Sequence, residues 1–200
     1  MIPLFQRRGP AYGRISNIRE YLLYSYKNEG TLIEENILDF TPRHMHDWYG
    51  KAKACSLMAI DMIIGYHENE EDNEERRRKI IKRAKKFLYF DWRGTPVWAV
   101  PMIWRGLGYK VRHSMIVDFN EMKRELDAGY PFIMNLAWGD YPAHTITIIG
   151  YQIWEIGFRK VKVLVVADGW SNRIRYIDYN AMTSISRGTL ASIVFGRKKG

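Results

Sequence analysis

The chain has 200 residues, 46% of them hydrophobic, which is enough apolar material for one globular α+β domain with a sizeable core. Its 31 Lys+Arg against 22 Asp+Glu give a formal charge of +9, which favours anionic partners or acidic substrates without identifying one. A single cysteine excludes an internal disulfide and fits a reducing compartment.

Residues 1–14, with Pro3, Gly9, Pro10 and Gly13, read as an irregular arm. Met1–Pro10 lack the apolar stretch of roughly 7–15 residues that a signal peptide needs. No later run approaches the ~18 apolar residues of a membrane span. A cytoplasmic location without membrane contact is expected, although a trimmed secreted chain would read the same. Ser16 is placed to cap a helix over Asn17–Lys27, where Ile18, Tyr21, Leu22 and Tyr26 recur at helical spacing. Residues 38–48 read as an extended lead-in to the next helix.

That helix carries the only cysteine. Leu57, Met58, Ala59, Ile60, Met62, Ile63 and Ile64 run nearly all round the helical wheel, which marks a buried, central helix. Cys55 stands near its start, where the dipole and free backbone N–H groups favour a thiolate. A free cysteine is also a common small core residue. The following run Glu68–Lys86 places acids before bases, with Glu74/Arg78 and Glu75/Lys79 as i,i+4 pairs. It reads as a solvated helix face. Binding of nucleic acid through Arg76–Lys86 is disfavoured, because neutralising acids sit directly upstream.

Thr95-Pro96 predicts a capped helix over Val97–Leu107, with a kink or break at Pro101. Lys110–Val117 reads as a strand and Asn120–Ala128 as a short helix. The pattern then turns to β, with strands expected over Pro131–Trp138, Ala143–Trp154, Val161–Ala167, Ile174–Tyr179 and Thr189–Phe195. A helical first half around Cys55, packed on an antiparallel sheet from the second half, makes an α+β fold.

Within the sheet half, His144 lies 13 residues before Gly157 and Asp168 lies 11 after it. A hairpin turning near Gly157 brings both to the same end of adjacent strands. A carboxylate beside an imidazole fixes its tautomer and stabilises the imidazolium, the third role in a nucleophile–base–orienter triad. Singly, His144 reads as a strand histidine bonded to a backbone carbonyl and Asp168 as the turn former of Asp-Gly. Together with a cysteine at a helix start they point to catalysis.

These residues resemble the papain-like cysteine peptidases of the C39-like group. The likeness lies in a short helix ending Asp127-Ala128-Gly129-Tyr130-Pro131, an apolar strand, Ala143-His144 opening a strand that ends Gly150-Tyr151, and a strand ending in Asp168. His46-Asp47-Trp48-Tyr49-Gly50 before the cysteine helix is similar too, and the order Cys, His, Asp is that of the group. The resemblance implies a papain-like fold, Cys55 as nucleophile, His144 as base, Asp168 as orienter, and Trp170 as the tryptophan that shields the histidine. The implied substrate is a peptide or protein, with acidic ones favoured by the charge, and no cofactor is implied.

Two departures stand out. The group usually carries a glutamine about six residues before the cysteine as an oxyanion donor, and position 49 is tyrosine here. The Cys55 N–H with His46, Trp48 or Tyr49 would have to substitute. Lys51-Ala52-Lys53-Ala54 are good helix formers, and a helix beginning at Lys51 would place Cys55 a turn inside, away from the dipole. Such a weakened site would leave a papain-like module that binds a peptide without cutting it. His44 and His46 with Cys55 are too few well-placed ligands for a catalytic zinc, so no metal is expected.

Overall fold

The computed structural model describes residues 11–48, 53–70, 72–89, 93–137, 139–184 and 190–198. In chain order these form α1 (Ile18–Tyr26), β1 (Thr31–Ile37), a 3-10 turn (Met45–Asp47), α2 (Cys55–Glu68), α3 (Glu74–Lys85), α4 (Ala99–Arg105), β2 (Tyr109–Ser114), α5 (Phe119–Asp127), β3 (Phe132–Leu136), β4 (His144–Ile156), β5 (Arg159–Ala167), β6 (Arg175–Asp178), α6 (Tyr179–Met182) and β7 (Ala191–Lys198). The α+β expectation holds. The antiparallel strands run β2-β7-β3-β4-β5-β6, with β1 also paired to β4.

The 13-residue β4 is the spine. Its first half pairs with β3, from Leu136↔His144 to Phe132↔Ile148, and its second half with β1, from Ile37↔Gly150 to Thr31↔Glu155. On its other edge it pairs with β5 along most of its length, turning at Gly157-Phe158. Gly150 has to be glycine: a Cβ there would stand 2.6 Å from the Asn36 carbonyl oxygen of β1. An irregularity between Ile148 and Gly150 shifts the β4–β5 register by one residue. Continued past Ala167↔Thr147, the shifted register sets Asp168 opposite Ile146, on the same side of the pleat as His144.

Both sheet faces are covered, so the central strands are apolar on both sides. One face carries α2, α3 and α4 over Ile133, Ile149, Val165 and Val194. The other packs Met122 and Leu126 of α5 with Phe132, Ile148 and Val166. Helix α2 is the buried central helix that its sequence predicts, enclosed from Ser56 to Gly65.

Several boundaries depart from the sequence expectations. Asn17, not Ser16, caps α1, its side chain accepting from the Arg19 and Glu20 N–H groups. Helix α4 begins at Ala99, so Pro101 falls in its first turn, where a missing N–H costs nothing and no break results. Strand β1, which lacks clear alternation, and the short α6 were not expected. Of the irregular arm, residues 1–10 lie outside the described residues. Tyr12 and Ile15 are buried, and Ile15 forms a two-way bridge with Tyr176. Trp138 and Thr189, at the ends of two expected strands, also lie outside the described residues.

Candidate active site

Helix α2 starts at Cys55 itself, with Ala54 as its cap residue and no side chain accepting from its first turn. The thiol therefore sits where unsatisfied N–H groups and the dipole favour negative charge, and not a turn inside. Lys51 and Ala52 lie outside the described residues; Lys53 is in a turn.

The start of α2 is fastened to the sheet by a buried polar chain. The Thr145 hydroxyl donates to Asn135 Oδ1 (2.9 Å), so its 2.8 Å contact with Ser56 Oγ takes the Ser56 proton, and Asn135 Nδ2 donates to Ser192 Oγ (3.3 Å). Because Ser56 follows the thiol and Thr145 follows His144, this chain draws Cys55 and His144 together. Burial pushes the Cys55 thiol up. Hydrogen bonding and charge from His144, followed by the Thr145 N–H, outweigh it and bring the thiol from 9.0 down to about 7.

His144 is buried, and its Nε2 lies 2.6 Å from the backbone carbonyl oxygen of Asp168. A carbonyl only accepts, so Nε2 carries a proton and Nδ1 is left as the basic nitrogen for Cys55. This corrects the expected Asp168 role. The chain turns at Gly169, whose φ is +72°, and the carboxylate folds back to accept from the Trp170 N–H (2.9 Å) and the Tyr141 hydroxyl (3.4 Å). The carbonyl, not the carboxylate, faces the imidazole.

Trp170 stacks on His144 with ring centroids 3.9 Å apart and 21° between planes. Tyr141 stacks near both, at 5.3 Å from Trp170 and 5.9 Å from His144. The ring face that Trp170 covers is closed to water, which conserves the imidazole's hydrogen bonds.

The oxyanion candidates separate. The Trp48 indole N–H donates to Asp61 Oδ2 (2.9 Å), so that donor is committed elsewhere. Tyr49 lies outside the described residues. His46 is exposed and stacked on His44 at 4.8 Å, in a turn held to the site by the Met45 N–H on the Gly169 carbonyl (2.8 Å).

Asp61 was not singled out from the sequence. It is fully buried in α2, with Arg76 Nε on Oδ1 and Arg43 Nη2 on Oδ2, both at 2.6 Å. The signal is in the sequence, since the one acid within the apolar run Leu57–Ile64 must be paired when that run is buried. Arg76, read with its neighbours as part of a solvated face, is in fact buried in this cluster. Arg78 and Lys79 pair with Glu74 and Glu75 as their spacing predicts. Among the described residues no three His, Cys, Asp or Glu side chains gather to hold a metal, and no helix is long and apolar enough to cross a membrane.

A cysteine at a helix start, an imidazole beside it with its far nitrogen anchored, and a sheet packed under the helix are the parts of a papain-like thiol site. The model of the Peptidase_C39 like family matches residues 37–187, and the chain belongs to that family. No curated protein matches it. Among solved structures it is similar to the peptidase domain of Streptococcus ComA, described as a bi-functional ABC transporter involved in a quorum-sensing pathway. The TM-score is 0.50 at 13% identity, over 80% of this chain and 98% of that one, a likeness of fold. Family and fold support a cysteine peptidase at that level.

Proposed function

We propose that the protein hydrolyses a peptide or amide bond with Cys55 as nucleophile and His144 as base and acid. The observation that carries this reading is the geometry: Cys55 stands at the start of α2, hydrogen-bonded to a His144 ring whose far nitrogen is anchored on the Asp168 carbonyl (2.6 Å), a pairing that brings the thiol below its ordinary range despite its burial. Nδ1 of His144 takes the thiol proton, and the thiolate attacks the carbonyl carbon to give a tetrahedral oxyanion. The imidazolium returns its proton to the departing amine, and water, deprotonated by the same nitrogen, releases the acid from the thioester. Asp168 orients His144 through its carbonyl, with Trp170 as the shield. The uncapped Cys55 N–H is the first oxyanion donor, and His46 is the described side chain left to supply a second. The pairing is internal to the chain and asks for no metal or cofactor.

The commitment of Trp48 to Asp61 favours one second reading, a peptide-binding module with a weakened site, because one fewer oxyanion donor typically costs about 10²–10³ in rate. Incubation with casein and with a mixed peptide pool, followed by mass spectrometry of the products, separates the two. Hydrolysis by the wild type that disappears in Cys55→Ser supports the peptidase. Binding without products, while the thiol still alkylates at pH 6, supports the module.

A further inference from the structure

We propose that Arg14 selects an acidic side chain on the leaving-group side of the scissile bond. This rests on His144 being the group that protonates the leaving amine. The departing half of the substrate must then pass the His144 ring and the Trp170 ring stacked on it. The Arg14 guanidinium carbon lies 4.1 Å over the Trp170 ring, and the His144 centroid lies 3.9 Å from it. Two groups cannot share one ring face at that height, so Arg14 and His144 occupy opposite faces. The guanidinium is therefore within about 8 Å of the His144 ring, a reach of one to two extended residues beyond the cleaved bond.

The positive charge is free to act. Arg14 is exposed, and among the described residues its guanidinium forms no ion pair. The acids nearest in the fold are engaged otherwise. Asp168 is buried under the Trp170 N–H and the Tyr141 hydroxyl, and Asp140 Oδ2 accepts from the Gly13 N–H at 2.7 Å. Arg175, held to the Ser16 hydroxyl, adds a second positive charge beside the same strap.

The backbone is also built to hold Arg14 there. Its φ is +57°, which non-glycine residues seldom adopt and which tends to mark functional positions. Its N–H donates to the Tyr141 hydroxyl (3.0 Å), and the Ile15–Tyr176 bridge pins the next residue. A stacked, planar guanidinium with its N–H edges exposed is shaped to receive a carboxylate.

The test uses C-terminally amidated peptide mixtures, randomised except for a fixed Glu, Gln or Lys, so that the carboxylate tested is a side chain. Cleavage by the wild type is followed by mass spectrometry, and binding to the Cys55→Ala variant by fluorescence anisotropy. The expected result is a preference for Glu over Gln of about two- to fivefold, the range for an exposed ion pair, in cleavage and binding alike. The preferred Glu should lie one or two residues after the cut. Arg14→Gln should abolish the preference, Arg14→Lys should keep part of it, and roughly 0.5 M salt should weaken it.

If Arg14 merely propped Trp170, its loss would slow all mixtures equally and leave the Glu/Gln ratio unchanged, which would overturn the proposal. Selective binding without cleavage, lost in Arg14→Gln, removes the peptidase reading and with it the leaving-group assignment, and leaves Arg14 as the residue that recognises an acidic side chain. Cleavage without selectivity does the reverse, and neither binding nor cleavage of any mixture overturns both.

Discussion

Replacing His144 with alanine should change the pH dependence of Cys55 more than any other single substitution. In the wild type the thiol ionises at about 7, against an ordinary 9.0, a difference worth about 3 kcal/mol in favour of the thiolate. The variant keeps the burial that raises the thiol and loses the two strongest influences that lower it, so its thiol should ionise at or above the ordinary value. At pH 6 about one wild-type thiol in ten is ionised against roughly one in a thousand in the variant, a ~100-fold difference in thiolate. A more acidic thiolate is a weaker nucleophile, which takes back about eightfold and leaves alkylation ~10-fold slower in the variant at pH 6. At pH 9 the wild type is nearly all thiolate and the variant about half, so the variant should react at least as fast. The sign follows from the direction of the shift: the advantage conferred by His144 grows as pH falls below the ordinary thiol range. Rates of iodoacetamide labelling from pH 5 to pH 10, with folding checked by circular dichroism, measure both profiles. A wild-type profile with its midpoint above about 8.5, or the same profile in His144→Ala, would refute the coupling of the two residues.

Because the His144 ring bonds the Asp168 carbonyl, Asp168→Asn should keep the tautomer and retain peptidase activity within about tenfold of wild type, while a fall of 10³ or more would mean that the carboxylate acts on the imidazole directly. Asp61→Ala should remove the carboxylate shared by Arg43, Arg76 and Trp48, leaving buried Arg76 only its longer contacts to Glu68 and Glu70, and destabilise the fold by about 3 kcal/mol in urea unfolding, with a loss under ~1 kcal/mol contradicting the role of the cluster.

Much of this protein is determined locally. The all-round apolar pattern after Cys55 can only be a buried helix, and the long apolar run from His144 can only be a central strand, so the α+β layout follows from periodicity and burial. A hairpin centred near Gly157 is enough to bring His144 and Asp168 to one end of adjacent strands, but the one-residue shift between Ile148 and Gly150 that sets both on one side of the pleat is not written in the turn. The contacts that decide the chemistry are not local. Propensity does not decide whether α2 begins at Lys51 or at Cys55, since lysine and alanine both extend a helix well; in the folded chain it begins at Cys55, with Ala54 as its cap residue. The carboxylate of Asp168 turns away because Tyr141 and the Trp170 N–H compete for it, and that competition exists only once residues 27 positions apart are packed together. Trp48, a plausible oxyanion donor by its place in the chain, is drawn instead to Asp61, since a buried carboxylate left short of partners costs more than a free indole N–H near water. Arg14 is one of many arginines until the strap at residues 12–15 crosses the 140–141 turn and lays it on Trp170. Helices and strands are set by patterns a few residues long, whereas hydrogen-bond partners and charges at the site are chosen among groups that only the tertiary fold makes neighbours.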